Sequence, residues 1–429
     1  NDWDVVVCTH SMLNEIRPPA HIRENDLVEQ IQMLDFRNST ADSKRLERKY
    51  QAQVKSLRSQ LDALREEIKD EELSGKVLTM DQIGVDGISV DEAQAYKNLA
   101  IASSLNVSGI TTGGSKRAQN MLGIANYFRE YHGKSCGMNY FTGTPISNTM
   151  CELYVVNRVL RPELLEEAGI YSFDEWAKRF GKVASNLEAL PEGGGFRVNE
   201  RFAEFVNAPE MIKLFRNFTD VRSKAELNLP TPKVNTVVES YKQTGWQKLF
   251  MQHLTRRAVN IRNGKVKPHE DNMLALSTAG RKAALDMRLV DNRLPDDATQ
   301  KLAGVARNIC RKFNETMDQR GTQLVFFDIG TPGKKKPYSS YETLKAMLVE
   351  QGIPANEVAF AQDAKSKAAL EAMFAAVRNG DIRVLIGSTE KMGAGTNVQD
   401  RLCALHNVDC PWRPSDIEQR IGRIARRGN

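Results

Sequence analysis

Gln419-Arg-Ile-Gly-Arg-Ile-Ala-Arg-Arg-Gly-Asn429 sets Arg420, Arg423 and Arg426 three residues apart, with Gly422 and Gly428 beside them. On a helix that spacing gathers guanidiniums on one face, the arrangement a polyphosphate clamp requires. A solvated basic tail would carry the same charge, so the stretch takes its meaning from what precedes it. Working back, Arg383-Val-Leu-Ile-Gly387 is a short apolar run of the buried parallel-strand type. Ser388-Thr389 and Gly393-Ala-Gly-Thr-Asn397 follow it directly. Glycines at 393 and 395 let backbone amides approach phosphate oxygens, while Ser388, Thr389 and Asn397 add donors. Further strands are predicted at Gln323–Asp328 and Glu357–Ala361, with a helix over Lys365–Arg378. Strands and helices alternating over short links predict a parallel, doubly wound sheet.

The N-terminal half repeats the theme. Asp91-Glu-Ala-Gln94 stands at the end of the apolar run Ile88–Val90. A carboxylate at the C-terminal end of a parallel strand is where a nucleotide-binding sheet holds Mg²⁺, and Glu92 beside it could polarise a water. Two acids capping the next helix would read the same way. Phe141-Thr-Gly-Thr-Pro145 ends a second apolar approach and offers two hydroxyls around a glycine, or an ordinary strand-to-helix turn. Asp4-Val-Val-Val-Cys8 predicts a buried parallel strand, and Ser115 to about Tyr131 a helix. Between them, Tyr50, Val54, Leu57, Leu61, Leu64 and Ile68 step by four and three. That heptad seam, with Leu27, Ile31 and Leu34 before a turn at Asn38-Ser-Thr, predicts a helical hairpin inserted at 22–79. Residues 166–275 read as a helical connecting region with loops at Pro191–Gly195 and Leu229–Pro232. Lys334-Lys-Lys336 reads as a solvated loop.

Composition sets bounds. A chain of 429 residues can bury two or three cores, and its formal charge of +6 is a mild basic excess compatible with a polyanion. The six cysteines, at 8, 136, 151, 310, 403 and 410, form no CxxC pair, as free thiols of a reducing cytoplasm would be. No apolar run approaches a membrane span. Cys403, His406 and Cys410 offer three candidate metal ligands, but structural zinc wants four, so a buried strand is the better reading. His10 is assigned a structural role. Gly109-Ile-Thr-Thr-Gly-Gly-Ser-Lys116 approximates a phosphate-binding loop with its Ser and Lys reversed, so Ser115 reads instead as a helix cap. No Gly-x₄-Gly-Lys-Ser/Thr occurs. Both ends of the sequence fall abruptly against motif-bearing segments, and the expectation is an interior piece of a larger polypeptide.

Taken in order, these motifs resemble a superfamily-two helicase core of the Swi/Snf type. Asp91–Gln94 resembles its motif II, Thr142–Pro145 with Ile146-Ser-Asn148 its motif III, Ser388–Asn397 its motif V, and Gln419–Gly428 its motif VI. Leu229-Pro-Thr-Pro-Lys233 is similar to the segment leading into the middle of such engines. The resemblance is strongest to large phage and mobile-element proteins that join the engine to an adenine DNA methyltransferase. It runs through Phe141–Asn148, Phe173-Asp-Glu-Trp176, Asp271-Asn-Met-Leu274, Gly387–Asn397 and Pro411-Trp-Arg-Pro-Ser-Asp-Ile-Glu-Gln419. It implies an α/β fold of two RecA-like parallel-sheet lobes, the first incomplete, with the hairpin insertion and the connecting region. The implied domains are 1–165, interrupted by 22–79, then 166–275, then 276–429.

The resemblance also implies roles. Asp91 would orient Mg²⁺ through water and Glu92 would be the general base. Gln94 would sense the γ-phosphate of ATP and communicate with Thr142, Gly143 and Thr144. Arg423 and Arg426 would reach across the cleft as arginine fingers, with Gln419 and Gly422 in the nucleotide region. Ser388, Thr389, Gly393, Gly395 and Asn397 would hold the backbone of double-stranded DNA. Arg420 and Arg427 lie off that pattern and read as simple surface charges. The phosphate cradle is expected upstream in the same polypeptide, so the piece alone would hydrolyse little ATP. A catalytically inactive DNA-binding scaffold, and the motor part of a methyltransferase or restriction-type protein, remain the alternatives.

Overall fold

The structure, a computed structural model, describes residues 4–429 except 41–42, 76, 106, 111–112, 147–148, 191–195, 229, 296–300, 334–336 and 394–396. The chain divides into two compact units, residues 1–188 with 197–221, and residues 189–196 with 222–429. It is an α/β protein with parallel sheets, as the motif order predicts. Longer elements are numbered in chain order and short helical turns are named by their residues.

In the first unit, helices α1 (Ala20–Ser39) and α2 (Lys44–Ser74) form the hairpin. The heptad residues do what their spacing predicts. Val54 and Leu61 close on Ile31 and Leu34, with Leu27, Val28, Tyr50 and Leu57 alongside, in a cluster made only of hairpin residues. Arg23 of α1 pairs with Glu71 of α2, and Arg65 of α2 with Glu24 of α1. Entry and exit are tied together, since Arg17 N donates to Leu78 O at 2.9 Å and Met80 N to Arg17 O at 2.9 Å. The hairpin touches the rest of the unit mainly through polar contacts. Gln119 donates to Asp26 at 2.5 Å, and Lys49 Nζ donates to the Ser104 carbonyl at 2.5 Å. Replacing residues 20–74 by a short Gly/Ser linker in the full-length protein should therefore leave the first unit cooperatively folded. Thermal melting would check this, and collapse of the whole unit would show that the seam is part of the main core.

Strand β1 (Ile88–Val90) pairs in parallel with β2 (Met138–Tyr140), and α3 (Lys116–His132) connects them. Ser115 caps α3 by accepting from Ala118 N at 3.2 Å, which accounts for the misordered glycine-rich stretch before it. One face of α3 (Met121, Ile124, Phe128) packs with Val90 and Tyr96, and the other (Ala118, Leu122, Ala125) joins a larger core. That core takes in α4 (Cys151–Leu160) and α5 (Phe173–Phe180), whose Phe173 and Trp176 stack 5.9 Å apart.

Two expectations are corrected. Asp4–Cys8 is not a strand. It has no regular secondary structure, Val7 is 92% exposed, and no described strand pairs with it. An apolar run becomes a buried strand only where a neighbour supplies hydrogen bonds and a face to cover. The region 166–275 is not a helical connector throughout. Strands β3 (Gly181–Ala189) and β4 (Phe196–Phe205) pair, and Ile170, Phe173, Trp176, Phe180 and Phe202 lie in the first unit's core. A Gly/Pro-rich turn between segments carrying Val183, Leu187, Phe196 and Val198 is the hairpin signal that points there.

The second unit opens with α6 (Gly245–Arg262) and α7 (Met273–Leu285), packed through Leu254, Ala258 and Leu276. Then come α8 (Lys301–Glu315), β5 (Thr322–Phe326), α9 (Ser340–Glu350), β6 (Val358–Phe360), α10 (Lys367–Asn379), β7 (Val384–Gly387), β8 (Leu402–Asn407) and α11 (Pro414–Ile424). The four strands form one sheet in the order β6-β7-β5-β8, and each described pairing is parallel. Their apolar runs are continuous because both faces are covered. Val325, Val384 and Ile386 pack under α8 and α9, while Leu324, Phe326 and Leu385 pack against Phe374, Val377 and Met392.

Candidate functional site

The turns after β1 and β2 meet. Phe141 N donates to Val90 O at 2.8 Å, and Ala93 N donates to Phe141 O at 3.0 Å. This holds the Asp91 turn against the Thr142 turn, both past the C-terminal ends of parallel strands, where α/β sheets bind ligands. Asp91 and Glu92 are exposed there, and among the described residues neither carboxylate pairs with Lys or Arg. Asp91 Oδ1 accepts from Glu92 N at 2.9 Å, which fixes that carboxylate. Glu92 sits in the left-handed region at φ 51° and ψ 46°. For a residue with a Cβ this costs about 1–3 kcal/mol, and such strain concentrates at functional sites.

From Glu92 a hydrogen-bond chain runs to the second turn. Gln94 Nε2 donates to Glu92 Oε2, Thr142 Oγ1 donates to Gln94 Oε1 at 2.6 Å, and Thr144 N donates to Thr142 Oγ1 at 3.0 Å. A carboxylate only accepts, so the orientation of the Gln94 amide is fixed and every donor points towards Glu92. The chain joins the Glu92 carboxylate to Thr142 through the Gln94 side chain. His10 completes the turn. Its Nε2 donates to the Asp91 carbonyl at 2.9 Å while its ring stacks on Tyr96 at 5.2 Å. Gly143 is exposed and a Cβ there would meet open space, so packing does not demand the glycine. Ser147 and Asn148 lie outside the described residues.

In the second unit, Ser388 caps the short turn Thr389–Met392, its Oγ accepting from Lys391 N at 3.4 Å. Thr389 is engaged internally on every side. Its N donates to Asp328 Oδ1 at 2.7 Å, its hydroxyl donates to Asp328 Oδ2 at 3.1 Å, and the same oxygen accepts from Arg420 Nε at 2.9 Å. That hydroxyl has no proton left for a phosphate. Gly393 gives its carbonyl to Arg423 Nη2. A Cβ at Gly393 would stand 2.2 Å from Thr389 O, so only glycine fits. The Asn397 carbonyl accepts from Arg378 at 2.6 Å, and its side chain is exposed. Gly395 lies outside the described residues.

The reading of Arg420 as a surface charge is overturned. Its side chain is 0% exposed and bonds Asp328 at 2.9 Å and Asp409 at 3.2 Å, with the guanidinium 5.4 Å over the Phe326 ring. Asp328 N in turn donates to Asp409 Oδ2 at 2.7 Å. Arg420 thus joins the ends of β5 and β8, the Thr389 turn and α11 in one network. The signal was available. Asp328 and Asp409 follow the ends of parallel strands, as Asp91 does, and that rule applied to all three flags a second carboxylate cluster. Helix α11 ends at Ile424, so Arg426 lies beyond it and is exposed, while Gln419, Gly422 and Arg423 are half-buried on it. A Cβ at Gly422 would meet open space.

The three candidate zinc ligands are dispersed in local bonds. Cys403 Sγ donates to Thr322 O at 3.2 Å, His406 Nε2 donates to Gln323 Oε1 at 2.9 Å, and the Cys410 thiol donates to Pro411 O at 3.5 Å. Burial pushes the His406 imidazole down to about 4, which keeps it neutral at pH 7. No described helix is long and apolar enough to cross a membrane.

Comparison with known families gives two matches. The model of a probable helicase domain matches residues 1–223, and that of a helicase conserved C-terminal domain matches residues 334–428. No curated protein matches the chain.

Proposed function

The chain belongs to the probable helicase domain family, and from that premise we propose that it is an ATP-driven motor segment acting on duplex DNA, within a larger polypeptide. The observation that carries the reading is the chain Glu92–Gln94–Thr142–Thr144, which links a candidate base to the turn after β2. Glu92 takes the proton of the attacking water, its carboxylate being exposed past the end of β1. Gln94 passes a change at the γ-phosphate to Thr142 and Thr144. Arg423 and Arg426 stabilise charge on the transferred phosphoryl group, with Gln419 and Gly422 shaping the approach.

Mg²⁺ suits the donors present. Asp91 offers a hard, exposed carboxylate already oriented by Glu92 N, a fit for an ion that keeps its waters. When bound, the ion neutralises charge on the phosphates. Residues 1–429 contain no phosphate-loop motif, so the cradle is assigned to an upstream part of the polypeptide. Its company there, on the strength of the resemblance, is an adenine DNA methyltransferase of a phage or mobile element, in the cytoplasm. Ser388, Gly393, Gly395 and Asn397 are assigned to the DNA backbone, whereas Thr389 supports them from within. Movement along duplex is favoured over strand separation by the Swi/Snf-type resemblance.

Phosphate release by the full-length protein, with and without duplex DNA, tests this. Hydrolysis should rise with duplex, and log affinity for DNA should fall linearly with log salt. Binding without any stimulated hydrolysis would favour the scaffold, and neither binding nor hydrolysis would end the motor reading.

A further inference from the structure

We propose that the α6–α7 hairpin is a second grip on the phosphate backbone of duplex nucleic acid, separate from the Ser388–Asn397 region. The inference rests on the motor reading and adds a site to it. Residues 245–285 hold eight Lys and Arg against two acids, a net of +6, which equals the formal charge of the entire chain. The remaining residues are therefore neutral in sum, and the basic excess noted in the composition is concentrated in one element.

Its geometry makes the charge usable. Leu254 and Ala258 face Leu276 and define the buried side of α6. At about 100° per residue, Arg256 points directly away from that side, while Lys248 lies about 100° round from it and Arg262 about 60°, at its margin. All three are exposed, as are Lys265 and Lys267 in the turn that follows. From Lys248 to Arg262 the helix rises roughly 21 Å, which spans several phosphates of a strand spaced about 3.4 Å along the duplex axis.

The two acids do not neutralise this surface. Asp271 is held bidentately by Arg257 at 2.7 and 2.8 Å, and that hydrogen-bonded pairing keeps its carboxyl below the usual range. Glu270 accepts from the backbone N of Lys267 at 3.0 Å. Helix α7 carries no acid at all. A solvated helix normally interleaves both signs to gain pairs along its face. A run of one sign repels itself and is stabilised by a polyanion, whose condensed counterions are released on contact.

The test is the triple variant Arg256→Ala/Lys265→Ala/Lys267→Ala in the full-length protein, with duplex affinity measured across a salt series. All three side chains are exposed, and an unchanged melting temperature confirms folding. Each lost phosphate contact removes about 0.9 from the slope of log affinity against log salt, so the slope should shrink by about 2–3. Affinity near 0.1 M salt should fall about tenfold or more, while DNA-independent hydrolysis stays as in the unaltered protein. An unchanged slope and affinity in the variant, with the unaltered protein binding DNA, would overturn the proposal and leave the motor reading standing. Failure of the unaltered protein to bind DNA would remove both.

Discussion

Arg420→Ala should destabilise the second unit by about 3–5 kcal/mol, whereas Arg427→Ala should change its stability by no more than about 0.5 kcal/mol. The two residues share a motif and a charge, but only Arg420 is buried. Its removal leaves Asp409, whose side chain is 3% exposed, with only the Asp328 N hydrogen bond and Arg281 at 3.9 Å, and leaves Asp328, 30% exposed, some access to water. It also frees the Thr389 hydroxyl from one partner and lifts a guanidinium off the Phe326 ring. Arg420→Lys should recover little, because a single ammonium cannot bond Asp328, Asp409 and Thr389 together as a planar fork does. Hydrogen exchange at the amides of β5 and β8 under increasing urea would read this locally, free of the first unit's own unfolding. Equal, small effects at positions 420 and 427 would show that the network adds nothing to stability.

Glu92→Gln in the full-length protein should keep ATP binding and lose roughly 10²–10⁴-fold in turnover. The substituted amide oxygen can still accept from Gln94, so the chain to Thr142 survives while the base does not. Arg423→Ala should lose about 10³–10⁵-fold, the range an arginine finger supplies. Because Arg423 also bonds the Gly393 carbonyl, its variant needs a melting measurement beside the kinetics. A DNA-stimulated ATPase assay separates the outcomes. Undiminished rates in both variants would leave a DNA-binding scaffold as the better description.

The sequence by itself determined the elements whose signals are local. The 50–68 heptad predicted a hairpin with its own core, because a helix buries every third or fourth residue whatever lies beyond it. The unbroken apolar runs at β5 and β7 predicted strands covered on both faces, and a Ser before a helical pattern predicted the Ser115 cap. Asp91 and Glu92 were readable as candidates because the C-terminal end of a parallel strand is where a nucleotide-binding sheet holds its metal ion. The tertiary structure decided what depends on distant partners. Whether Val5–Val7 is a strand depends on a neighbour to pair with, and none lies beside it among the described residues. Whether Phe202 is a connector residue or a core residue depends on Phe173, which lies 5.9 Å away in space. Most of all, the spacing of Arg420, Arg423 and Arg426 says nothing about which way the helix is turned. A charge can be buried only where opposite charges and acceptors converge on it. The partners of Arg420 are Asp328, 92 residues away, Thr389, 31 away, and Asp409, 11 away, and only the assembled sheet brings them together.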